Sequence, residues 1–180
     1  MERSLTMVAL FAALVAVLGL FPSFMLFTGV PISAQSLGVM LCGAILGPRK
    51  GTLAVLLFLL LVALGLPLLA GGRGGLGAFV GPTSGFLYGF PVAALVTGWV
   101  AQNWRGVSLT IAAAAGAMIG GTLVLYGFGA AGMMLVIGLS LPEAVAALAA
   151  FIPGDIIKAV ITGAIAGAIH RARPGLVLTR

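Results

Sequence analysis

Long apolar stretches alternate with short groups of glycine, proline and charged residues along the whole chain. Six of these stretches predict membrane-crossing helices, since about 20 apolar residues span the hydrocarbon core of a bilayer. They cover residues 5–27, 34–46, 52–69, 83–101, 107–128 and 153–169. The second stretch is short, so we expect its start to reach back into the preceding loop. The pattern predicts an all-α membrane bundle of six transmembrane helices in a single domain, residues 1–180.

The breaks between the stretches predict loops and turns. Residues 22–33 form the first loop, Gly47–Gly51 a tight basic turn, and Gly71–Gly77 a glycine-dense loop. Residues 129–150 predict an outer loop with a short helix, although a longer fifth helix fits the same residues. Pro153 suits the first turn of a helix, so the last helix is expected to begin there.

The first apolar stretch has two interpretations. Arg3 followed by an apolar run is typical of a signal peptide and of a membrane helix alike. Because no polar cleavage region follows, we favour a retained helix. Within it, Ala9 and Ala13 lie four residues apart on one helix face. Such a pair either packs inside the bundle or forms a smooth docking face for another membrane subunit, and the spacing favours neither.

Composition supports the membrane assignment. The 180 residues are 62% hydrophobic and only 7% charged, with a mean hydropathy of +1.28, whereas soluble domains carry about 25% charged residues. The single cysteine, Cys42, excludes an intramolecular disulfide. The net charge of +6 comes from basic residues scattered singly, which argues against a nucleic-acid interface.

Those basic residues predict the orientation of the chain. With a cytoplasmic N-terminus and six crossings, both termini lie inside, together with most of the positive charge, as the positive-inside rule requires. The basic residues on the inner side are Arg3, Arg49, Lys50, Arg105, Arg171, Arg173 and Arg180. Arg73 and Lys158 are the exceptions, and both are expected near the outer side.

Asp155 and Lys158 are the strongest candidates for a functional site. Their spacing of three places both side chains on one face of a helix. A lone charge at the centre of a lipid-facing helix costs roughly 2.5–3.5 kcal/mol, so the pair must face protein, water or a ligand. A structural ion pair between helices is the alternative. Four further residues could converge with the pair in the outer half of the bundle, namely Gln35, Arg73, Thr83 and Tyr88.

The sequence lacks the residues that several other kinds of function require. No second carboxylate lies near Asp155, and neither metal-ligand spacing nor a nucleophile with a base is present, which argues against an enzyme or a metal site. The glycine loop lacks the Gly-Lys-Ser/Thr of a phosphate loop and is interpreted as a flexible lid over a pocket. A proton-coupled carrier could use Asp155 alone, but no inverted repeat is evident.

Motifs along most of the chain resemble one known family, the BioY family of biotin-specific S components of energy-coupling factor (ECF) transporters. The motifs are Pro31-x-Ser33-x-Gln35, Gly47-Pro-Arg-x-Gly51, Gly65-Leu-Pro67, Gly81-Pro-Thr-Ser-Gly-Phe86 with Gly89-Phe90, and Pro153-Gly-Asp-Ile-Ile-Lys-Ala159. Three positions depart from the usual pattern: Phe86 and Leu69 replace a Tyr and a Phe, and Ser33 replaces a Thr. The loss of the phenol at position 86 removes any hydrogen bond there.

The resemblance implies a role and partners. It implies that biotin is the transported substrate, held near the outer side under loops, and that no cofactor is needed. The implied partners are a transmembrane coupling subunit and a pair of cytoplasmic ATPases in the plasma membrane of a prokaryote. Asp155 and Lys158, with Gln35 and Thr83, match the family's site, while Ala9 and Ala13 match its docking motif.

Two other functions remain open on the residues alone. The scaffold is shared among S components, so the chain could serve another vitamin. A stand-alone secondary carrier driven by protonation of Asp155 belongs to a different class.

Overall fold

The computed structural model describes residues 2–25 and 30–179, and within them the fold is all-α apart from one two-stranded ladder. The helices, in chain order, are α1 (Glu2–Gly19), α2 (Gln35–Ala63), α3 (Ser84–Asn103), α4 (Leu109–Met118), α5 (Leu125–Ile137), α6 (Leu141–Ala149) and α7 (Ile152–Ala172). The ladder pairs β1 (Phe24–Met25) with β2 (Pro31–Ile32) in antiparallel register. The predicted fold class is therefore confirmed at the level of an all-α bundle.

Helix α2 consists of two halves that fold back on each other. Gly47 alone leaves the helical conformation, at φ 82°, a region that favours glycine. A Cβ atom placed on Gly51 would lie only 2.5 Å from the carbonyl oxygen of Cys42, although nine residues in a straight helix span about 13 Å. Residues 35–46 and 48–63 thus run in opposite directions, and the absence of a Cβ at Gly51 permits their close contact.

This geometry corrects the predicted basic turn. Only Gly47 forms the bend, whereas Pro48, Arg49 and Lys50 already belong to the second half of α2. Proline fits the first turn of a helix because its missing N–H would be unpaired there in any case. The helix also ends at Ala63 rather than near residue 69, since Gly65 and Pro67 follow in a non-helical segment.

The predicted fifth segment is longer than expected. Helices α4 and α5 are joined by a π-helical turn, Ile119–Val124, so that residues 109–137 form one continuous helical rod. Gly138, in the left-handed conformation, ends the rod. The longer alternative is the one that the structure adopts, and the short outer helix predicted after it is α6.

The first helix is shorter than predicted. Helix α1 ends at Gly19, and Pro22 precedes the strand β1, where the sequence predicted helix up to residue 27. Residues 26–29 lie outside the described residues; all four belong to the predicted loop 22–33, and residues 26 and 27 also to the predicted helix. The last helix begins at Ile152, one residue before the predicted start.

Five helical segments of the described chain are long and apolar enough to cross a membrane: α1, α2, α3, the rod 109–137, and α7. Several such segments in one chain are what a multi-pass membrane protein requires. The sequence predicted six crossings because it counted the two halves of α2 separately.

The basic residues gather at one end of the bundle, here called the basic end. The Arg3 guanidinium donates to the carbonyl of Gly175, which joins the start of α1 to the C-terminal tail. The tail then donates from the Leu178 amide to the Ile45 carbonyl at 2.8 Å, close to Arg49. Arg171 and Arg173 lead into this tail, and Arg105 follows the end of α3, where Gln102 and Asn103 lie beside Arg49 and Lys50. Arg180 is outside the described residues.

Candidate functional site

A cavity opens at the opposite end of the bundle, here called the cavity end. It is formed where α2, α3 and α7 begin, and the side of the α4–α5 rod closes it. Its empty volume, including the space open to solvent, is about 550 Å³. The lining residues are Val30, Pro31, Ser33, Gln35, Ser36, Leu69, Arg73, Thr83, Phe86, Leu87, Phe90, Leu125, Tyr126, Phe151, Asp155 and Lys158.

Asp155 and Lys158 form an ion pair at the cavity wall. Lys158 Nζ lies 2.9 Å from Asp155 Oδ1, and the side chains are 14% and 4% exposed respectively. Asp155 lies in the first turn of α7, where the helix dipole stabilises a negative charge. This is the one salt bridge between side chains in residues 2–25 and 30–179, and it occupies the position at which the sequence placed the site.

Two hydroxyl groups extend the ion pair into a network across three helices. The Tyr126 hydroxyl donates to Asp155 Oδ2 at 2.8 Å, and Lys158 Nζ donates to Ser36 Oγ at 2.9 Å. The network therefore joins α5, α7 and α2 around the cavity. Hydrogen bonds with a charged partner are stronger than neutral ones, and these hold both charged groups in fixed positions.

Sequence reasoning missed Tyr126 and Ser36. Tyr126 belongs to no motif of the family resemblance, and Ser36 follows a motif residue without being one. The available signal was general: a phenol within a long apolar helix needs a hydrogen-bond partner. The chain has only two tyrosines, and the prediction chose the other one, Tyr88.

The structure does not bring Tyr88 to the cavity. Its side chain is 55% exposed, and its hydroxyl donates to the Phe79 carbonyl at 3.0 Å. On α3 it is the neighbours Phe86, Leu87 and Phe90 that face the cavity, because successive helical residues point about 100° apart. The prediction that Tyr88 converges with the other candidates, or covers part of the pocket wall, is wrong.

Gln35 lines the cavity, but its amide is engaged within the protein. Gln35 Nε2 donates to the carbonyls of Leu68 and Val15, at 3.0 and 3.4 Å, and Oε1 accepts from the Ala70 amide at 3.0 Å. One buried side chain thus joins the start of α2 to α1 and to the segment after α2. Its carbonyl oxygen can still accept a second bond, so contact with a ligand stays a prediction.

Thr83 and Arg73 present unused polar groups to the cavity. Thr83 is 6% exposed, and its hydroxyl has no hydrogen-bond partner among the described residues. Buried hydroxyls are normally paired, which indicates that a ligand or water completes this one. The Arg73 Nε donates to the Ala70 carbonyl at 3.1 Å, and no other bond of its guanidinium occurs within the described chain.

Aromatic rings form the apolar part of the wall. The Phe86 and Phe151 rings lie 5.9 Å apart, and the Tyr126 and Phe151 rings 6.4 Å apart. Phe86 fits because position 129 is glycine: a Cβ there would lie 2.4 Å from the Phe86 Cζ atom. The cavity therefore combines a flat apolar surface with one anion and two cations, Asp155 with Lys158 and Arg73.

Ala9 and Ala13 face away from the bundle. Both are exposed on α1, whereas Ala12 is buried, and Phe11 and Val15 pack into the core. The two alternatives for this pair predicted opposite orientations. Since packing inside this bundle would bury Ala9 and Ala13, their exposure leaves them available to lipid or to another protein.

Comparisons with known proteins agree with this geometry. The chain matches the BioY family over residues 2–175. It is 51% identical to the biotin transporter BioY of Rhodobacter capsulatus over 100% of both chains. It is 49% identical to that of Rhizobium etli over 96% of this chain and 95% of the relative.

A solved structure has the same fold. It is the crystal structure of the S-component for biotin from an ECF-type ABC transporter, with a TM-score of 0.89 and 29% identity. The match covers 94% of this chain and 92% of the other.

Proposed function

This chain belongs to the BioY family, and we propose from that premise that it is the biotin-binding membrane subunit of an uptake transporter rather than an enzyme. The observation that carries the proposal is the Asp155–Lys158 pair, held by Tyr126 and Ser36 in the wall of a partly aromatic cavity. Buried charges fixed in this way are costly, and in a membrane bundle they mark a substrate site by default.

The groups of the cavity suit the two ends of biotin. The ureido ring of biotin has two N–H donors and one carbonyl, and its tail ends in a carboxylate. Asp155 can accept from a ureido N–H, while Lys158 and Arg73 can each pair with an acceptor or an anion. The free Thr83 hydroxyl supplies one more polar contact, and Phe86 with its aromatic neighbours covers the apolar ring and chain.

The site is a network rather than a single charge, which favours binding over proton-driven transport. Removing the charge of Asp155 would leave Lys158, whose side chain is only 14% exposed, without its counter-ion. A secondary carrier that relies on Asp155 titration would have to meet that penalty in each cycle.

We place six crossings in one membrane domain, residues 1–180, with both termini in the cytoplasm. Reversal at Gly47 supports counting the halves of α2 as two crossings. The first half has 12 residues, about 18 Å of helix, so the extended segment before it must complete the path through a core of about 30 Å. The gathering of cations at the basic end supports the cytoplasmic assignment. Labelling of single cysteines at positions 49 and 73 by an impermeant reagent in intact cells tests it: only position 73 should react.

The partners proposed are a transmembrane coupling subunit and a pair of cytoplasmic ATPases, in the plasma membrane of a prokaryote. Ala9 and Ala13 on the outer face of α1 are the docking residues, because small side chains let two helices approach closely. The double variant Ala9→Trp with Ala13→Trp should bind biotin normally but fail to co-purify with the coupling subunit. Leu10→Trp, also exposed on α1, is the matched control and should co-purify. Assembly of the double variant would contradict the docking role.

The test of the site is binding of labelled biotin to the purified chain in detergent. Asp155→Asn and Lys158→Ala should each weaken binding by roughly 30-fold or more, as truncation of a buried charge pair does. Glu143→Gln removes an exposed carboxylate at the start of α6 and should change nothing. Unchanged binding in both variants would contradict the assignment of Asp155 and Lys158 to the biotin site. If the unmodified chain does not bind biotin, the proposed substrate is wrong and other vitamins are to be tested.

A further inference from the structure

A second crevice lies at the basic end, between the bend of α2 and the last turns of α3. Its empty volume is about 1020 Å³, roughly twice that of the cavity described above. Arg49 and Lys50 line one side, Gln102 and Asn103 line another, and Trp99 and Leu95 continue the surface along α3.

The crevice exists because two backbones touch beside it. A Cβ atom on Gly98 would lie 2.5 Å from the Pro48 nitrogen, so only glycine allows α3 to approach the bend this closely. That contact holds the first turn of the second half of α2 against α3. Arg49 and Lys50 are thereby presented beside Gln102, rather than projecting separately into solvent.

The two cations of the crevice are uncompensated. Across residues 2–25 and 30–179, no carboxylate forms an ion pair with Arg49 or Lys50, and neither side chain donates a hydrogen bond there. Both residues also lie in the first turn of a helix segment, where the dipole disfavours positive charge. Two cations without a protein counter-ion, at a helix position that disfavours positive charge, would be stabilised by an anion bound from outside the chain.

The apolar side of the crevice indicates what kind of anion. Trp99 is 60% exposed and Leu95 is 43% exposed on the outer face of α3, which in a membrane contacts lipid. Tryptophan favours the boundary between headgroups and acyl chains. The crevice therefore offers cations and amides at headgroup level next to an apolar surface for chains.

We propose that this crevice binds the headgroup of an anionic phospholipid, whose phosphate is held by Arg49 and Lys50 and whose acyl chain lies along Trp99 and Leu95. Basic pockets between membrane helices recognise anionic lipid headgroups in this way. Gln102 and Asn103 add donors for the headgroup oxygens. The site is separate from the biotin cavity and independent of the proposed transport role.

Native mass spectrometry of the detergent-purified chain tests the proposal. The chain is mixed with phosphatidylglycerol and phosphatidylcholine that carry the same acyl chains, and bound lipid is counted. The unmodified chain should retain phosphatidylglycerol in preference. A basic residue at an anionic lipid surface contributes about fivefold in association, so Arg49→Gln with Lys50→Gln should weaken retention roughly 30-fold.

The matched control removes two charges from the same end without touching the crevice. Arg171→Gln with Arg173→Gln, both exposed after α7, should retain phosphatidylglycerol within about twofold of the unmodified chain. An equal loss of phosphatidylglycerol in the control would show that binding depends on net charge alone, and would contradict a specific site in the crevice. Retention by the Arg49 and Lys50 double variant would overturn it as well.

Two further measurements distinguish a phospholipid from other occupants of the crevice. Inorganic phosphate in large molar excess should not displace phosphatidylglycerol if the acyl chain contributes; complete displacement would mean a soluble anion and refute the lipid assignment. Trp99→Ala keeps every charge and should still weaken lipid retention.

Biotin binding by each variant shows that it is folded, since none of these residues lines the biotin cavity. Should the double variant lose only co-purification of the coupling subunit and keep its lipid, the crevice would be a protein interface and the proposal wrong.

Discussion

At the cavity end, Asp155, Lys158 and Tyr126 bind one another at 2.8–2.9 Å, whereas at the basic end Arg49 and Lys50 have no side-chain partner within the described chain. The first group is largely buried, the second half-buried or exposed. The free energy needed to desolvate a charge explains the contrast. An enclosed charge must be compensated within the protein, while a charge near water or headgroups can leave compensation to its surroundings. Among the described residues, the groups without a protein partner at the cavity end are the Thr83 hydroxyl and most of the Arg73 guanidinium, whereas at the basic end they are the side chains of Arg49 and Lys50.

The largest effect is expected when the enclosed pair is broken. Lys158→Met leaves Asp155 buried without its cation, and should lower the free energy of unfolding by roughly 3–5 kcal/mol, measured as a fall in thermal midpoint in detergent. The double variant Asp155→Asn with Lys158→Met should recover much of that stability but not biotin binding.

The control for this comparison is Arg49→Gln at the open end, whose effect on stability should stay within about 0.5 kcal/mol. If the double variant recovers biotin binding together with stability, the pair is a structural link between helices and not a site. An equal loss in the double and single variants would contradict the burial argument.

A smaller effect is expected from Gln35→Met, which removes three internal hydrogen bonds without removing a charge. The Ala70 amide and the Leu68 carbonyl lose their partner, and an unpaired buried group costs about 1–3 kcal/mol. Hydrogen exchange at the Ala70 amide should accelerate, since Gln35 Oε1 is its acceptor. Gln102→Met at the open end is the matched control, because no described bond involves its side-chain amide. Unchanged exchange at Ala70 would exclude the role of Gln35 as an internal link.

The two tyrosines provide a paired test of the cavity. Tyr126→Phe removes the donor to Asp155 Oδ2 but keeps the ring, so biotin affinity should fall about tenfold, the value of one bond to a charged group. Tyr88→Phe should leave affinity unchanged, since that hydroxyl bonds Phe79 outside the cavity. If a binding titration shows that Tyr88→Phe weakens biotin binding and Tyr126→Phe does not, then Tyr88 and not Tyr126 belongs to the site.

The smallest effect is expected at Glu143, an exposed carboxylate that caps α6. Hydrogen bonds from the Ser140 hydroxyl and backbone amide lower the pKa of Glu143 below 4.5. A lowered folded pKa stabilises the protein above the unfolded value, and this contribution is lost as pH falls from about 4.5 through the folded pKa. Glu143→Gln should therefore slightly reduce the acid dependence of the thermal midpoint without affecting biotin binding. A large shift in midpoint at neutral pH would contradict this.

Much of the candidate site could be predicted from local sequence. Asp155 and Lys158 stand out because charges are rare in this chain and their spacing of three fixes a common helix face. Thr83 is identified by the Gly81–Phe86 motif, and Arg73 because it departs from the positive-inside distribution of the other basic residues. Tyr126 and Ser36 could not be identified in this way, since each meets the pair only across helices, 29 and 122 residues away in sequence.

The sequence by itself determined that the chain is an all-α membrane protein with most of its cations at one end, and approximately where its helices begin. These properties depend on runs of apolar residues and on nearby glycine and proline, which act locally on the backbone. Only the tertiary structure decided that Tyr126 rather than Tyr88 meets Asp155, that Gln35 serves internal bonds, and that Arg49 and Lys50 line a crevice. These outcomes depend on how helices rotate and approach, which contacts such as Gly98 with Pro48 and Gly129 with Phe86 set between distant parts of the chain.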